Sequence, residues 1–207
     1  MLACSRKQAL LDLIDPFRLG SGRKPRESDI CALNTMLDQL ALENPAPVLS
    51  TAFQQVAGLW RCVFTTSRFV LDLDRIPGLR LSGVYQVVSI DPNLNSGHYF
   101  NIAELARGEK VKCACGEFAS IRPSQSDRAS MDVEYHLFYF ALRMRSKYEG
   151  HRTLAAELQS DRLRGSMRFP FHRCGFQSIV YLDDELRIVR GNEGGVFVLL
   201  RQWEFRD

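Results

Sequence analysis

No stretch of the 207 residues approaches the ~18 consecutive apolar residues that a membrane-spanning helix needs. No secretory leader is evident either. "MLACS" resembles a lipoprotein cleavage site at Cys4, but no basic region and apolar run precede it. A transit peptide is equally missing, so the chain reads as one that acts where it is made, or as a mature form. The formal net charge is only +3, too small to imply nucleic acid. The six cysteines (Cys4, Cys31, Cys62, Cys113, Cys115 and Cys174) have no framework spacing. Cys113 and Cys115 form C-x-C rather than C-x-x-C, with no second pair, so no zinc site is expected. They read as small apolar fillers in a reducing compartment.

Signs of catalysis are also sparse. His98, His136, His151 and His172 show no metal-ligand spacing. Thr66 and Ser67 have no neighbouring base in a nucleophile motif. "EGG" at 193–195 joins two strand patterns, so it is a hairpin signal and not a phosphate loop. Glu134, Tyr135 and His136 could be written as an acid–base set, but alternation along a strand puts Tyr135 and His136 on opposite faces.

What is present begins with helical spacing. Leu10, Leu13, Ile14 and Phe17 recur at a helical period, limited by Pro16. After the polar loop "SGRKPRE", Ser28 or Asp29 can cap a second helix with Ile30, Leu33, Leu37 and Leu40 on one stripe. "ENPAP" ends it, and "VLSTAFQQVAG" reads as a short third helix closed by Gly58.

From Gly58 the period becomes two. Trp60, Cys62, Phe64 and Thr66 share one face of the first strand. Strands are expected at 83–91, 98–105, 110–121, 131–144, 176–183, 185–191 and 195–205, with possible extras at 69–73 and 79–81. The fold class is therefore mainly β with N-terminal helices (α+β). Residues 1–57 form a helical segment packing on or capping an antiparallel up-and-down barrel of about 8–9 strands in 58–207. Closure would remove edges that "VFVLL" would otherwise expose.

One segment breaks this pattern. Residues 141–175 carry eight basic residues (Arg143, Arg145, Lys147, Arg152, Arg162, Arg164, Arg168 and Arg173) against three acids. It reads as a partly helical excursion, either a solvated loop or a patch for anionic lipid or an acidic protein partner. No aromatic-interleaved basic motif accompanies it, so nucleic acid is not expected.

Two blocks carry a resemblance: "LENPAPVLSTAFQQVAGLWRCVFTTS" and "YLDDELRIVRGNEGGVFVLLR". In this order and separation they resemble the fibrillin family, the plastid lipid-associated proteins of chloroplasts and cyanobacteria. The second block, aromatic-Leu-Asp followed by Leu-Arg-Ile-x-Arg-Gly and Gly-x-x-Phe-Val-Leu, is the specific one. The resemblance implies a lipocalin-like barrel that binds or organises a hydrophobic small molecule, such as a prenylquinone, carotenoid or acyl lipid. It implies a setting at a thylakoid or lipid-droplet surface, peripheral to the membrane in a cyanobacterial cytoplasm, or in a plastid. No cofactor is required. Phe64 stands where the family usually has Tyr, and the excursion at 141–175 has no match in the family pattern.

Gly58-Leu59-Trp60 resembles the lipocalin G-x-W, in which Trp closes the barrel floor under a stacked Arg. Arg190 and Arg201 are both open as that Arg. Asp183, Arg187, Arg190 and Gly191 read as a latch that marks register, a carboxylate–Arg cluster in the closing strands. Parity forbids Arg187 and Arg190 from sharing a face unless a bulge intervenes. Trp60, Phe64, Thr66, Val84, Val88, Phe100, Ile102, Val133, Leu137, Phe197 and Leu199 are the expected ligand-lining set. Two other readings remain: an assembly protein for a photosynthetic complex or prenylquinone-synthesis enzyme, with a filled barrel, and a bilin-lyase-like tetrapyrrole-handling barrel.

Overall fold

The computed structural model describes residues 2–45, 55–73, 80–91, 96–105, 110–123, 131–144, 167–169, 175–191 and 194–203. Helix α1 spans Leu2–Ile14 and α2 spans Glu27–Leu42. Pro16 sits in a 3-10 turn, Asp15–Phe17, immediately after α1, because proline offers no N–H to continue an α-helix. The N-cap of α2 is Arg26, two residues before Ser28; Asp29 reaches back to accept from the Arg26 backbone N–H at 2.7 Å. Asp29 thus acts from the first turn and does not occupy the cap. Most of the expected third helix, 46–54, lies outside the described residues.

The strands are β1 Gly58–Thr65, β2 Leu81–Asp91, β3 Ser96–Leu105, β4 Lys110–Pro123 and β5 Met131–Met144. They continue with β6 Met167–Phe169, β7 Gly175–Leu182, β8 Leu186–Gly191 and β9 Val196–Arg201. The possible strand at 69–73 is instead helix α3, Arg68–Leu73. Its apolar run "FVL" fits either element, and Val70 of that run joins the core next to the sheet. The three-residue β6 was not expected; it is too short for alternation to signal.

The fold is a mainly antiparallel sheet with a few helices, in the order β4-β3-β2-β1-β9-β8-β7-β5-β6, and β4 also pairs with β5. Both faces of the sheet bury apolar side chains. On one, Trp60, Cys62, Val84, Val88, Tyr99, Ala103, Leu105, Ile179, Leu182, Val189 and Leu199 form a core cluster. On the other, α1 and α2 bury Leu10, Ile14, Leu33, Leu37 and Leu40 against Val63, Phe64, Tyr181, Leu186, Ile188, Val196 and Val198. The helices therefore cover the outside of β7, β8, β9 and the end of β1.

The second cluster corrects the expectation for Phe64. The β1–β9 register shifts between Cys62 and Phe64, so Val63 and Phe64 both turn toward the helices. A bulge adds one residue and reverses the faces beyond it. A similar shift between Ile179 and Tyr181 sends Tyr181 to the helices and Leu182 to the Trp60 face.

Candidate functional site

The site grows from Gly58. Its φ is +129°, and an added Cβ would lie 2.8 Å from Nη1 of Arg201. Only glycine leaves room for that guanidinium and adopts that backbone without strain. Two residues on, Trp60 is fully buried and donates its indole N–H to the Val56 carbonyl at 2.9 Å. Strand pairing sets Arg201 directly opposite Trp60, and its Cζ lies 4.2 Å from the ring centroid. The same guanidinium donates to the carbonyls of Ala57 at 2.8 Å, Asp184 at 2.7 Å and Gln55. Of the two arginines left open by the sequence, Arg201 closes this end.

Arg187 is a second cation on the same indole, 4.8 Å from its centroid. It is only 3 % exposed and donates to Oε1 of Gln86, also 3 % exposed. Its neighbour on the same face is Cys62, whose thiol burial pushes up to about 12 despite the Phe64 backbone contact and the Arg187 charge. That thiol stays protonated and unreactive at neutral pH.

The single carboxylate–Arg cluster expected of Asp183, Arg187 and Arg190 does not form. Arg190 points to the opposite face and reaches Asp38 of α2 at 3.1 Å. Asp183 turns into the β7–β8 hairpin. It accepts the backbone N–H groups of Glu185 at 2.7 Å and Leu186 at 2.6 Å, the Tyr181 hydroxyl at 3.0 Å, and Lys7 of α1 at 3.1 Å. Burial alone would raise Asp183, but those amides and Lys7 outweigh it and hold the carboxyl below its usual range. Lys7 shows the mirror case. Burial would lower it, yet Glu185 and Asp183 hold it above the usual lysine value. Arg201 is lowered by burial, opposed by Asp184 and Asp183. The physical reason for the divergence is parity: positions 187 and 190 cannot face the same way on a regular strand. Gly191 donates to the Gly195 carbonyl at 2.8 Å in the last hairpin.

Of the expected lining set, Trp60, Val84, Val88 and Leu199 gather on the Trp60 face, with Phe197 partly buried against them. Phe100 and Ile102 are buried on the opposite face, because β2–β3 pairing aligns Asn101 with Gln86, and Ala103 with Val84. Thr66 lies beyond β1, where its hydroxyl accepts from Val196 N–H at 2.9 Å. The side chains of Val133, Leu137 and the basic residues of 141–175 lie outside those described.

Residues the sequence reading missed are the polar ones. Gln86, Tyr99 and Asn101 share the Trp60 face, where Asn101 Nδ2 donates to the Tyr99 hydroxyl at 2.6 Å. Gln86 was visible as a polar residue two positions from Val84 and from Val88. Another missed feature is the α1–α2 connection, where Arg18, Arg23, Lys24 and Arg26 are all exposed. It anchors at the far end of β1, through Leu19 N–H on the Val63 carbonyl at 3.0 Å.

Among the described residues, no group of three His, Cys, Asp or Glu could hold a metal ion, and no helix is long and apolar enough to cross a membrane. The family model PAP_fibrillin matches residues 5–200. Neither a curated protein nor a solved structure matches the chain.

Proposed function

The chain belongs to the PAP_fibrillin family, and from that premise we propose that it holds a hydrophobic small molecule within a closed, lipocalin-like barrel. The family is generally lipid-associated and generally not enzymatic, and it is linked to plastid or thylakoid lipid structures. Pairing of β4 with β5, in addition to the serial order of the other strands, supports closure. An eight-stranded ring has room for side chains or one small ligand.

The observation that carries the reading is the Trp60 face itself. Apolar Val84, Val88 and Leu199 line it, and a few polar groups stand among them. That is the composition of a site that buries an apolar body and orients a polar head. A prenylquinone, carotenoid or acyl lipid would gain roughly 25 cal/mol per Å² of apolar surface removed from water. Peripheral contact with anionic lipid fits the four exposed cations of the α1–α2 connection, alongside the basic segment 141–175.

The test is mass spectrometry of an organic extract from protein purified out of a photosynthetic host, beside Val88→Trp. A near-equimolar quinone, carotenoid or acyl lipid, lost in the variant, is the expected result. An empty extract from folded protein overturns the carrier reading. The second reading, a filled barrel acting as an assembly partner, draws on that same cationic connection. It then requires binding to a protein partner that weakens steeply with salt.

A further inference from the structure

Resting on the carrier reading, one polar strip specifies the ligand's head. Pairing aligns Trp60 with Gln86 and Gln86 with Asn101, so the three stand in one row across β1, β2 and β3. Arg187 joins from β8 through Gln86 Oε1. Asn101 donates one way, from Nδ2 to the Tyr99 hydroxyl. Its other amide atom, Oδ1, is buried and accepts no hydrogen bond from the described residues. Trp60, Gln86 and Arg187 are buried, while Asn101 keeps some solvent exposure, so the strip is approached at its Asn101 end.

A buried amide oxygen without a donor is costly, and such atoms in native proteins have a reason. Amide oxygen accepts and cannot donate. The missing partner must therefore bring an O–H or N–H. We propose that Asn101 Oδ1 is the anchor for a hydroxyl on the ligand, so that the barrel selects a long-chain alcohol or phenol over the same skeleton bearing only ether or carbonyl oxygen. The Arg187 guanidinium, hydrogen-bonded to Gln86 one place along the row, adds a positive field that favours a ligand oxygen there. A hydroxyl satisfies both demands, donating to Asn101 and turning its oxygen toward the cation. An ether or ketone meets only the second.

The experiment compares farnesol with its methyl ether by isothermal titration against the full chain, in wild type, Asn101→Leu and Asn101→Asp. The expected result is farnesol bound about tenfold more tightly than the ether by wild type, the value of one neutral hydrogen bond. Asn101→Asp, which keeps the acceptor, retains the preference; Asn101→Leu brings the two within about twofold. Equal affinities in wild type overturn the inference and leave the carrier reading standing, since an ordered water would then fill the acceptor. Tighter binding of the ether overturns it as well, and shows that the amide presents Nδ2. Failure of wild type to bind either probe overturns both the inference and the carrier reading. The wild-type ratio decides the matter even if Asn101→Leu does not fold.

Discussion

Replacing Arg201 with lysine tests whether the guanidinium fork, and not merely its charge, holds the end of the sheet. Arg201 reaches three carbonyls, those of Gln55, Ala57 and Asp184, while its Cζ covers Trp60. Hydrogen bonds from a charged donor contribute about 1.5–3 kcal/mol each when buried. Arg201 is only partly buried, so water can replace some of each, and about 0.5–1 kcal/mol apiece is the fairer figure. An ammonium keeps one of the three carbonyls and part of the cation–π attraction, which is about 0.5–2 kcal/mol in all. The expected cost is thus about 2 kcal/mol. For a chain of this size that lowers Tm by about 4–8 °C. Urea denaturation followed by tryptophan emission reads it directly, because Trp60 is 0 % exposed and Trp203 is 66 % exposed, so only the former changes environment strongly. Gly58→Ala supplies the partner for a double-mutant cycle. A Cβ 2.8 Å from Nη1 cannot coexist with the fork in place, so the two changes should be sub-additive by about 1 kcal/mol. A cost for Arg201→Lys below about 0.5 kcal/mol, or strict additivity, would refute the account of this latch.

Three further outcomes are expected. Asp183→Asn should destabilise the protein at pH 7 by about 1–2 kcal/mol, and the difference should vanish in acid. The folded pKa of Asp183 is depressed, so its contribution is complete above the unfolded value of about 4 and is lost as pH falls through the folded one. Urea midpoints of wild type and variant at neutral and acid pH measure this; a pH-independent gap contradicts it. On β8, Arg187→Ala should cost about 3 kcal/mol or more, because it opens a buried site and strands Gln86. Arg190→Ala should cost less, about 1 kcal/mol at most, since its pairing with Asp38 is partly exposed. Comparable midpoints for the two would sink the assignment of faces. Finally, iodoacetamide at pH 8 should label exposed Cys31 and spare buried Cys62, whose thiol is pushed up to about 12. Peptide mapping of the native and urea-unfolded protein separates the two, and rapid native labelling of Cys62 would contradict its burial.

The elements that were legible from sequence are those with one dominant period. The stripe of Leu33, Leu37 and Leu40 placed α2, and the period-two runs placed most strands within a residue or two. Which strand face held the candidate site was not legible. Phe100 and Ile102 are as buried as Tyr99 and Ala103, so hydrophobicity gives no vote between the faces of β3. Phe64 failed for another reason. A bulge leaves no mark in composition, and one between Cys62 and Phe64 inverted the parity that had grouped Phe64 with Trp60. Gly58-Leu59-Trp60 was recognisable, but the choice of Arg201 over Arg190 depends on register across the β1–β9 pair, which only the fold supplies.

A sheet that buries both faces has a register problem, and the charges of the last three strands and their turns answer it. Where one face is wet, a one-residue slip exposes the apolar set and is strongly penalised. Here a slip of β8 would exchange Leu186 and Ile188 for Val189, one apolar set for another. The penalty has to come from polar residues whose two environments differ. A slip would press the Arg187 guanidinium among Leu33, Leu37 and Leu40 and deprive it of Gln86. It would also carry Arg190 off Asp38 onto the Trp60 face. Asp183 adds a fixed point, because its carboxylate binds the amides of Glu185 and Leu186 only when the turn falls at those residues. Arg201 adds another at the far strand, aligned on Trp60. The four charged residues do not form a cluster. Each stands at a different boundary of the hairpin, and each has only one register in which it is satisfied. That arrangement fixes pairing without gathering the four charges into one cluster, and it leaves the Arg187–Gln86–Asn101 strip as the polar part of the Trp60 face.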